Sequence, residues 1–352
     1  MIAVDRRVIA TRRRGPRGSS PFLIGVVNEL DKRLGRDHAA ARAALEVVVD
    51  STAFYAGGTK LGLGSSAAVT VAATALALAA DHEAVPVIDR DLVLSIATAA
   101  HAAAQTAQRG RRSTAEIKPI GEAKIGRGSD PELVAVTSGW DRGRGSGADI
   151  AAAIYGGVIA FQRTTPDRVA WPSDAAAHGK AITIDDATID RLSWPAGVTL
   201  IPFYTGAPAD TRSLVAAVAT ARASDRVAVD AALLAIDKAS RAACQACAVR
   251  APEIASNALL SALALGAHAL DQLAAAAHLP LVPSSVAAAR GAMTRLGGTA
   301  KTTGAGGGDI AIAVIPATED VTQAQRYLIE AGCQPLQLTV DQTGVDLQPD
   351  AQ

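Results

Sequence analysis

Cysteine is scarce in this chain of 352 residues: there are three, Cys244, Cys247 and Cys333. That number cannot build a disulfide framework, and an odd count fits a reducing compartment. Charge of one sign is also missing, since 34 Lys and Arg balance 34 Asp and Glu. A neutral balance provides no overall field for nucleic acid or an anionic membrane surface, and favours small-molecule partners. Polar residues interrupt the Ala-rich apolar runs within less than a bilayer's thickness, so no membrane span is expected. The segment MIAVDRRVIATRRRGPRGSS has no apolar core followed by a small-residue cleavage site, which a signal peptide requires. A cytoplasmic location is the resulting expectation.

Two familiar nucleotide fingerprints are absent as well. No strand carries G-x-G-x-x-G, and the P-loop pattern G-x-x-x-x-G-K-[ST] does not occur at GGTKLGLGSSAA, because Lys60 precedes the core of that loop. Cys244 and Cys247 form a C-x-x-C in a helical, Ala-rich pattern without a second pair or a histidine at zinc spacing. They read as small helix-packing residues, since a structural zinc takes about four ligands.

What is present is a chain long enough for two domains, with 49% apolar residues to fill their cores. Residues 2–11 and FLIGVVN (22–28) read as strands, 38–46 as a helix, VVVDS as a strand, and 66–80 and 91–108 as helices. Residues 109–143 are rich in charge, Gly and Pro without a sustained apolar period, and read as a surface excursion. A short helix and strand follow in GSGADIAAAIYGGVIAF. Beyond residue 191 come strand VTLIPFYTG, helices to about 297, strand IAIAVI, helix VTQAQRYLIEAG and strand LQLTV. A boundary near Arg191 divides the chain into domains 1–190 and 191–352.

Three glycine-rich stretches carry the chemistry. GLGSS, opening an Ala-rich helix, offers unpaired backbone N–H groups and a positive helix end to a phosphate. Ser65 and Ser66 can add hydroxyls there, or an oxygen to magnesium, and Lys60 a mobile charge. GSGAD places Asp149 in a glycine-flanked turn at a helix start, with Arg144 just before it. GAGGGD (304–309) can wrap a second anion in backbone amides. His101 and Gln105 lie one helical turn apart, and His101 reads as a packing residue.

Together, KLGLGSSAA, GSGADIAAA and KTTGAGGGDIAIAV resemble, in order and separation, the three motifs of the GHMP kinases. Within that family the likeness is nearest to the phosphomevalonate kinase branch, through Lys60, the final aspartate of GAGGGD, FYTGAPADTRSLV and EAGCQPLQLTVDQTGV. Mevalonate kinase and diphosphomevalonate decarboxylase share the scaffold, and a non-catalytic nucleotide-binding protein of this fold is a further alternative. The resemblance implies an α+β fold of two domains, the N-terminal one ribosomal-protein-like and the C-terminal one ferredoxin-like. It also implies transfer of the γ-phosphoryl of MgATP to 5-phosphomevalonate, by a monomer or homodimer.

By the same resemblance, ATP phosphates would sit on Gly62, Leu63, Gly64, Ser65, Ser66 and Ala67, with Ser66 on Mg2+. Asp149 and Lys60 would act at the transferring group. Gly145, Ser146, Gly147, Thr303, Gly304, Ala305, Gly306 and Gly307 would contact the acceptor, and Thr302 could add a hydroxyl. The family's usual opening, P-G-K-L-x-L-x-G-E-Y, does not occur in the chain, which suggests a start codon assigned too far downstream. Residues 109–143 stand where family members run directly from helix to GSG-x-D.

Overall fold

The structure, a computed structural model, describes residues 1–13, 20–81, 88–113, 146–163, 182–184 and 187–348. In the N-terminal part, strand β1 (Ile9–Arg12) precedes helices α1 (Pro21–Leu34) and α2 (Ala39–Ala44), and strand β2 (Val47–Asp50) pairs antiparallel with β1. A two-residue hairpin, β3 (Tyr55–Ala56) and β4 (Thr59–Lys60), leads into α3 (Ser65–Leu78) and then α4 (Arg90–Ser113). Helix α5 (Ala148–Tyr155) and strands β5 (Val158–Arg163), β6 (Ile182–Ile184) and β7 (Ala187–Leu192) complete it, the three strands in the order β5-β7-β6.

FLIGVVN is helical, not the strand its Val and Ile content suggested: it lies within α1. Pro21 in the first turn presets a helical backbone. Leu23, Val26 and Leu30 then recur at helical spacing and are all buried. Gly25 permits a close crossing with α4, since a Cβ there would come 2.6 Å from the Ala100 carbonyl oxygen.

Helix α3 is apolar all round and lies between two cores. Ala67, Val71 and Ala75 pack with α4, α5 and Ile159, while Val69, Ala73 and Ala77 pack with α1, α2 and Ile96. Burial on both faces holds the N-terminus of α3 in a fixed position, and this is the end that matters below.

The C-terminal part begins with β8 (Val198–Tyr204) and runs through helices α6 (Thr211–Ser224), α7 (Arg226–Ala248), α8 (Pro252–Ala277) and α9 (Ser284–Thr294). Strands β9 (Thr299–Thr302) and β10 (Ile310–Pro316), helix α10 (Val321–Glu330) and strand β11 (Gln334–Pro335) follow. The sheet order β11-β8-β10-β9, antiparallel throughout, is the split βαββαβ arrangement of a ferredoxin-like domain. Helices α9 and α10 cover one face through Ile201, Phe203, Ala300, Ala311, Ala313 and Ile315.

Two further sequence expectations need correction. Leu336–Val340 forms no strand beyond one bridge, Val4 with Val340. Instead the tail crosses back onto the N-terminal part, where Asp341 N–H donates to Ala3 O at 3.1 Å and Val345 N–H to Ile154 O at 3.1 Å. Helix α8 is long and apolar enough to cross a membrane, against the expectation of none. Here it lies along α7 and reaches the sheet, with Leu259 and Ala262 buried. The excursion beyond residue 113, through 143, lies outside the described residues.

Candidate active site

The hairpin of β3 and β4 turns through Gly57 and Gly58, and Leu61 N–H is fixed to Phe54 O at 3.0 Å. From Gly62 to Ala67, no backbone N–H donates to a protein acceptor among the described residues. Gly64, at φ +77°, is the N-cap of α3 and no side chain caps it. A run of unspent N–H groups at the positive end of a buried helix is a built anion cradle.

Carboxylates flank this loop on two sides. Asp149, in the first turn of α5, approaches Gly64: a Cβ there would lie 3.9 Å from that of Asp149. Its Oδ1 accepts the Ile150 N–H at 3.0 Å. Asp309 approaches Gly62 from the C-terminal part, so closely that a Cβ on Gly62 would lie 2.8 Å from Asp309 Oδ2. Asp309 stands at φ +53° and is held there by its backbone, which donates to Ala207 O at 2.7 Å and accepts from Thr205 N–H at 2.9 Å.

Ser66 Oγ lies 3.1 Å from His101 Nε2, and the imidazole stacks on Phe22 at 5.1 Å between ring centroids. His101 is buried, as a packing residue should be, and it also fixes the Ser66 hydroxyl on the α4 side of the helix. Ser65 is buried beside it. Lys60 is exposed on the hairpin. Ser146 Oγ accepts the Ala148 N–H at 3.3 Å and Gly147, at φ +83°, is the N-cap of α5. Arg144 and Gly145 lie outside the described residues.

The C-terminal glycine loop divides into two parts. Gly306 N–H is spent on Thr303 O at 3.2 Å and Gly307 N–H on Leu281 O at 2.7 Å. A Cβ at Gly306 would meet Leu281 O at 2.5 Å, and one at Gly307 would meet Leu214 Cδ1 at 2.5 Å. These two glycines therefore anchor the loop by close packing. Gly304 has open space around it, and the N–H groups of Gly304 and Ala305 are unspent among the described residues. Thr303 ties the loop to its strand by donating its hydroxyl to Ile310 O at 2.7 Å.

Gly62, Leu63, Gly64, Asp149, Thr303 and Gly304 line one cleft of about 1970 Å³ between the two parts. Single ligand pockets run to about 1,000 Å³, so a nucleotide and a second small molecule both find room. Lys301 lines the same cleft and was missed by the sequence reading, although it opens KTTGAGGGD. Burial, with Arg290 adding to it, lowers its amine to about 8. Among the described residues no cluster of three or more His, Cys, Asp or Glu could hold a metal. Cys247 packs in the α7 core, and burial pushes its thiol up to about 11.

No family model matches the chain, and neither does any curated protein. Solved structures do. A Lin0012 protein from Listeria innocua is 20% identical with a TM-score of 0.70, over 96% of this chain and 90% of that one. Streptococcus pneumoniae phosphomevalonate kinase in complex with phosphomevalonate and AMPPNP is 15% identical with a TM-score of 0.64, over 95% and 89%. L. major mevalonate kinase in complex with R-mevalonate is 14% identical with a TM-score of 0.56, over 98% and 89%. The chain has the mixed α+β fold of these GHMP kinase structures over nearly its whole length.

Proposed function

We propose that the chain is an ATP-dependent phosphotransferase that passes the γ-phosphoryl of MgATP to 5-phosphomevalonate, giving 5-diphosphomevalonate and ADP. The observation that carries this reading is that the loop of unspent N–H groups, Gly62–Ala67, meets Asp149 at one two-ligand cleft through Gly62, Leu63 and Gly64, with Asp309 seated against Gly62. Phosphoryl transfer asks for positioning and charge neutralisation more than for covalent chemistry, and aimed backbone donors supply both. The fold shared with a kinase crystallised with phosphomevalonate and AMPPNP supports the choice of substrates.

In this reading the N–H groups of Gly62–Ala67 hold the ATP phosphates. Lys60, on the exposed hairpin two residues before Gly62, supplies a mobile positive charge. Asp149, Asp309 and the hydroxyl of Ser66 are hard oxygen donors, which suit Mg2+ beside a nucleotide. Bound there, the ion would offset the negative charge of the phosphates. The acceptor already carries a phosphate oxyanion, so Asp149 serves to orient the reactants and is not needed as a base. Ser146, Gly147, Thr303, Gly304 and Ala305 hold the acceptor, with Gly306 and Gly307 fixing the loop that presents them.

Coupled measurement of ADP release is the test. Turnover should require both MgATP and 5-phosphomevalonate and should be lost in Asp149→Asn. Turnover of mevalonate but not of its 5-phosphate would move the acceptor assignment to the alcohol. Binding of MgATP without turnover of either compound would overturn the reading.

A further inference from the structure

The face of the C-terminal sheet opposite α9 and α10, covered in part by α7 and α8, carries an unusual residue. Across β8, β10 and β9 the register places Pro202, Ile312 and Lys301 in one row, and all three line the cleft. Two are apolar, and the third, on the edge strand β9, brings an ammonium group to the cleft floor. Its Nζ donates to Thr302 O at 2.8 Å and makes no other hydrogen bond or ion pair among the described residues. Two N–H donors are therefore unspent.

No neighbour balances this charge. Arg290 on α9 is a second cation, and its guanidinium already engages Asp271 of α8 and the Ala300 carbonyl. The amino group of Met1 is also close enough to interact unfavourably with Lys301. On the α8 side stands Gly266, where a Cβ would lie 3.9 Å from Lys301 Cε, so the side chain packs against bare backbone. A buried, unpaired ammonium is costly unless something compensates it. The cleft in front of it is where a compensating group can arrive.

We propose that Lys301 is an anion-binding residue on the cleft floor, whose ammonium takes a carboxylate or phosphate group of the acceptor. The identity of that acceptor rests on the function proposed above, while the demand for an anion follows from the site itself. Thr303 and Gly304 follow Lys301 in the chain and line the same cleft as Asp149. An acceptor with an anion at each end can thus be held at its far end by Lys301 while its reacting end faces the nucleotide loop.

Calorimetric titration of the full chain in buffers of differing ionisation enthalpy tests this, just above the pH at which the free amine titrates. Separate titrants are 5-phosphomevalonate, mevalonate, inorganic phosphate and, as control, AMPPNP. Anion binding favours the protonated amine, so the wild type should take up a proton on binding the acceptor. Lys301→Met should bind roughly tenfold more weakly or worse, without proton uptake and with unchanged AMPPNP affinity. Lys301→Arg should recover part of the affinity, which a merely structural role would not predict.

Lys301-dependent uptake with mevalonate assigns the carboxylate, and uptake with inorganic phosphate assigns the phosphate. If 5-phosphomevalonate fails to bind while either of these binds through Lys301, the proposed acceptor is wrong and the anion site stands. If none of the three shows Lys301-dependent binding, or Lys301→Met binds 5-phosphomevalonate as the wild type does, the proposal is overturned.

Discussion

The carboxylate of Asp309 occupies the space that a side chain on Gly62 would need: a Cβ there would lie 2.6 Å from the Asp309 Cβ and 2.7 Å from its Cγ. The contact joins the nucleotide-type loop of one half to the glycine loop of the other. Gly62 also stands at φ +72°, which an L side chain adopts only with strain. Gly62→Ala should therefore cost about 1–2 kcal/mol in stability from backbone and contact together. It should also displace Asp309 and weaken MgATP binding about tenfold or more. Thermal unfolding and nucleotide titration check the two effects, and unchanged affinity would show that the contact is incidental to the site.

The pair Ser66 and His101 makes a narrower prediction. His101→Phe keeps a ring to stack on Phe22 and removes the partner of the Ser66 hydroxyl. A hydrogen bond of this kind contributes about 1 kcal/mol. The expected outcome is a small loss of stability with KM for MgATP raised several-fold, and KM for the acceptor unchanged. An equal rise in both KM values would point to general loosening of α4.

The motifs were legible in the sequence because glycine clusters before helices are dictated locally, and GLGSS and GSGAD both open helices at left-handed glycines. What lay across the fold was not legible. Asp309 was visible as the end of GAGGGD, but its seat on Gly62 depends on how the two halves meet. Lys301 faces the cleft because of register with Ile312, which periodicity along one strand does not reveal. FLIGVVN misled through its Val and Ile content, although the Ser20–Pro21 start and the spacing of Leu23, Val26 and Leu30 were present. LQLTV misled because its main-chain partners are scattered: Leu336 N–H bonds to Pro202 O of β8, while Thr339 and Val340 meet Asp5 and Val4 of the N-terminal half, so no continuous ladder forms.

The two parts of the C-terminal glycine loop should separate by mutation. Gly304→Ala meets open space, so its expense is the positive φ of +58° alone, about 1 kcal/mol. Gly306→Ala drives a methyl group onto the Leu281 carbonyl, a backbone atom that cannot swing aside. Gly306→Ala should lower the unfolding temperature by clearly more than Gly304→Ala does. Gly304→Ala should instead raise KM for the acceptor at nearly wild-type stability. The reverse order would mean that Gly306, not Gly304, faces the ligand.

Lys301 gives the pH dependence. Its amine titrates at about 8 in the fold against 10.5 in the unfolded chain. Between those values the unfolded chain binds the extra proton, so this residue makes stability rise with pH across that window. Below it both states are charged, and the native state carries the whole penalty of burying the ammonium, on the order of 3 kcal/mol by conversion of the displacement. Lys301→Met keeps the length of the stem and removes the charge. Without ligand, the variant should be more stable than the wild type at neutral pH, and the gap should close as pH climbs toward the unfolded value. Paired urea denaturation curves across that range measure the gap directly, with contributions common to both proteins cancelling. A gap that stays constant with pH would show that the amine is solvated, which would remove the desolvation on which the cleft-floor anion site depends.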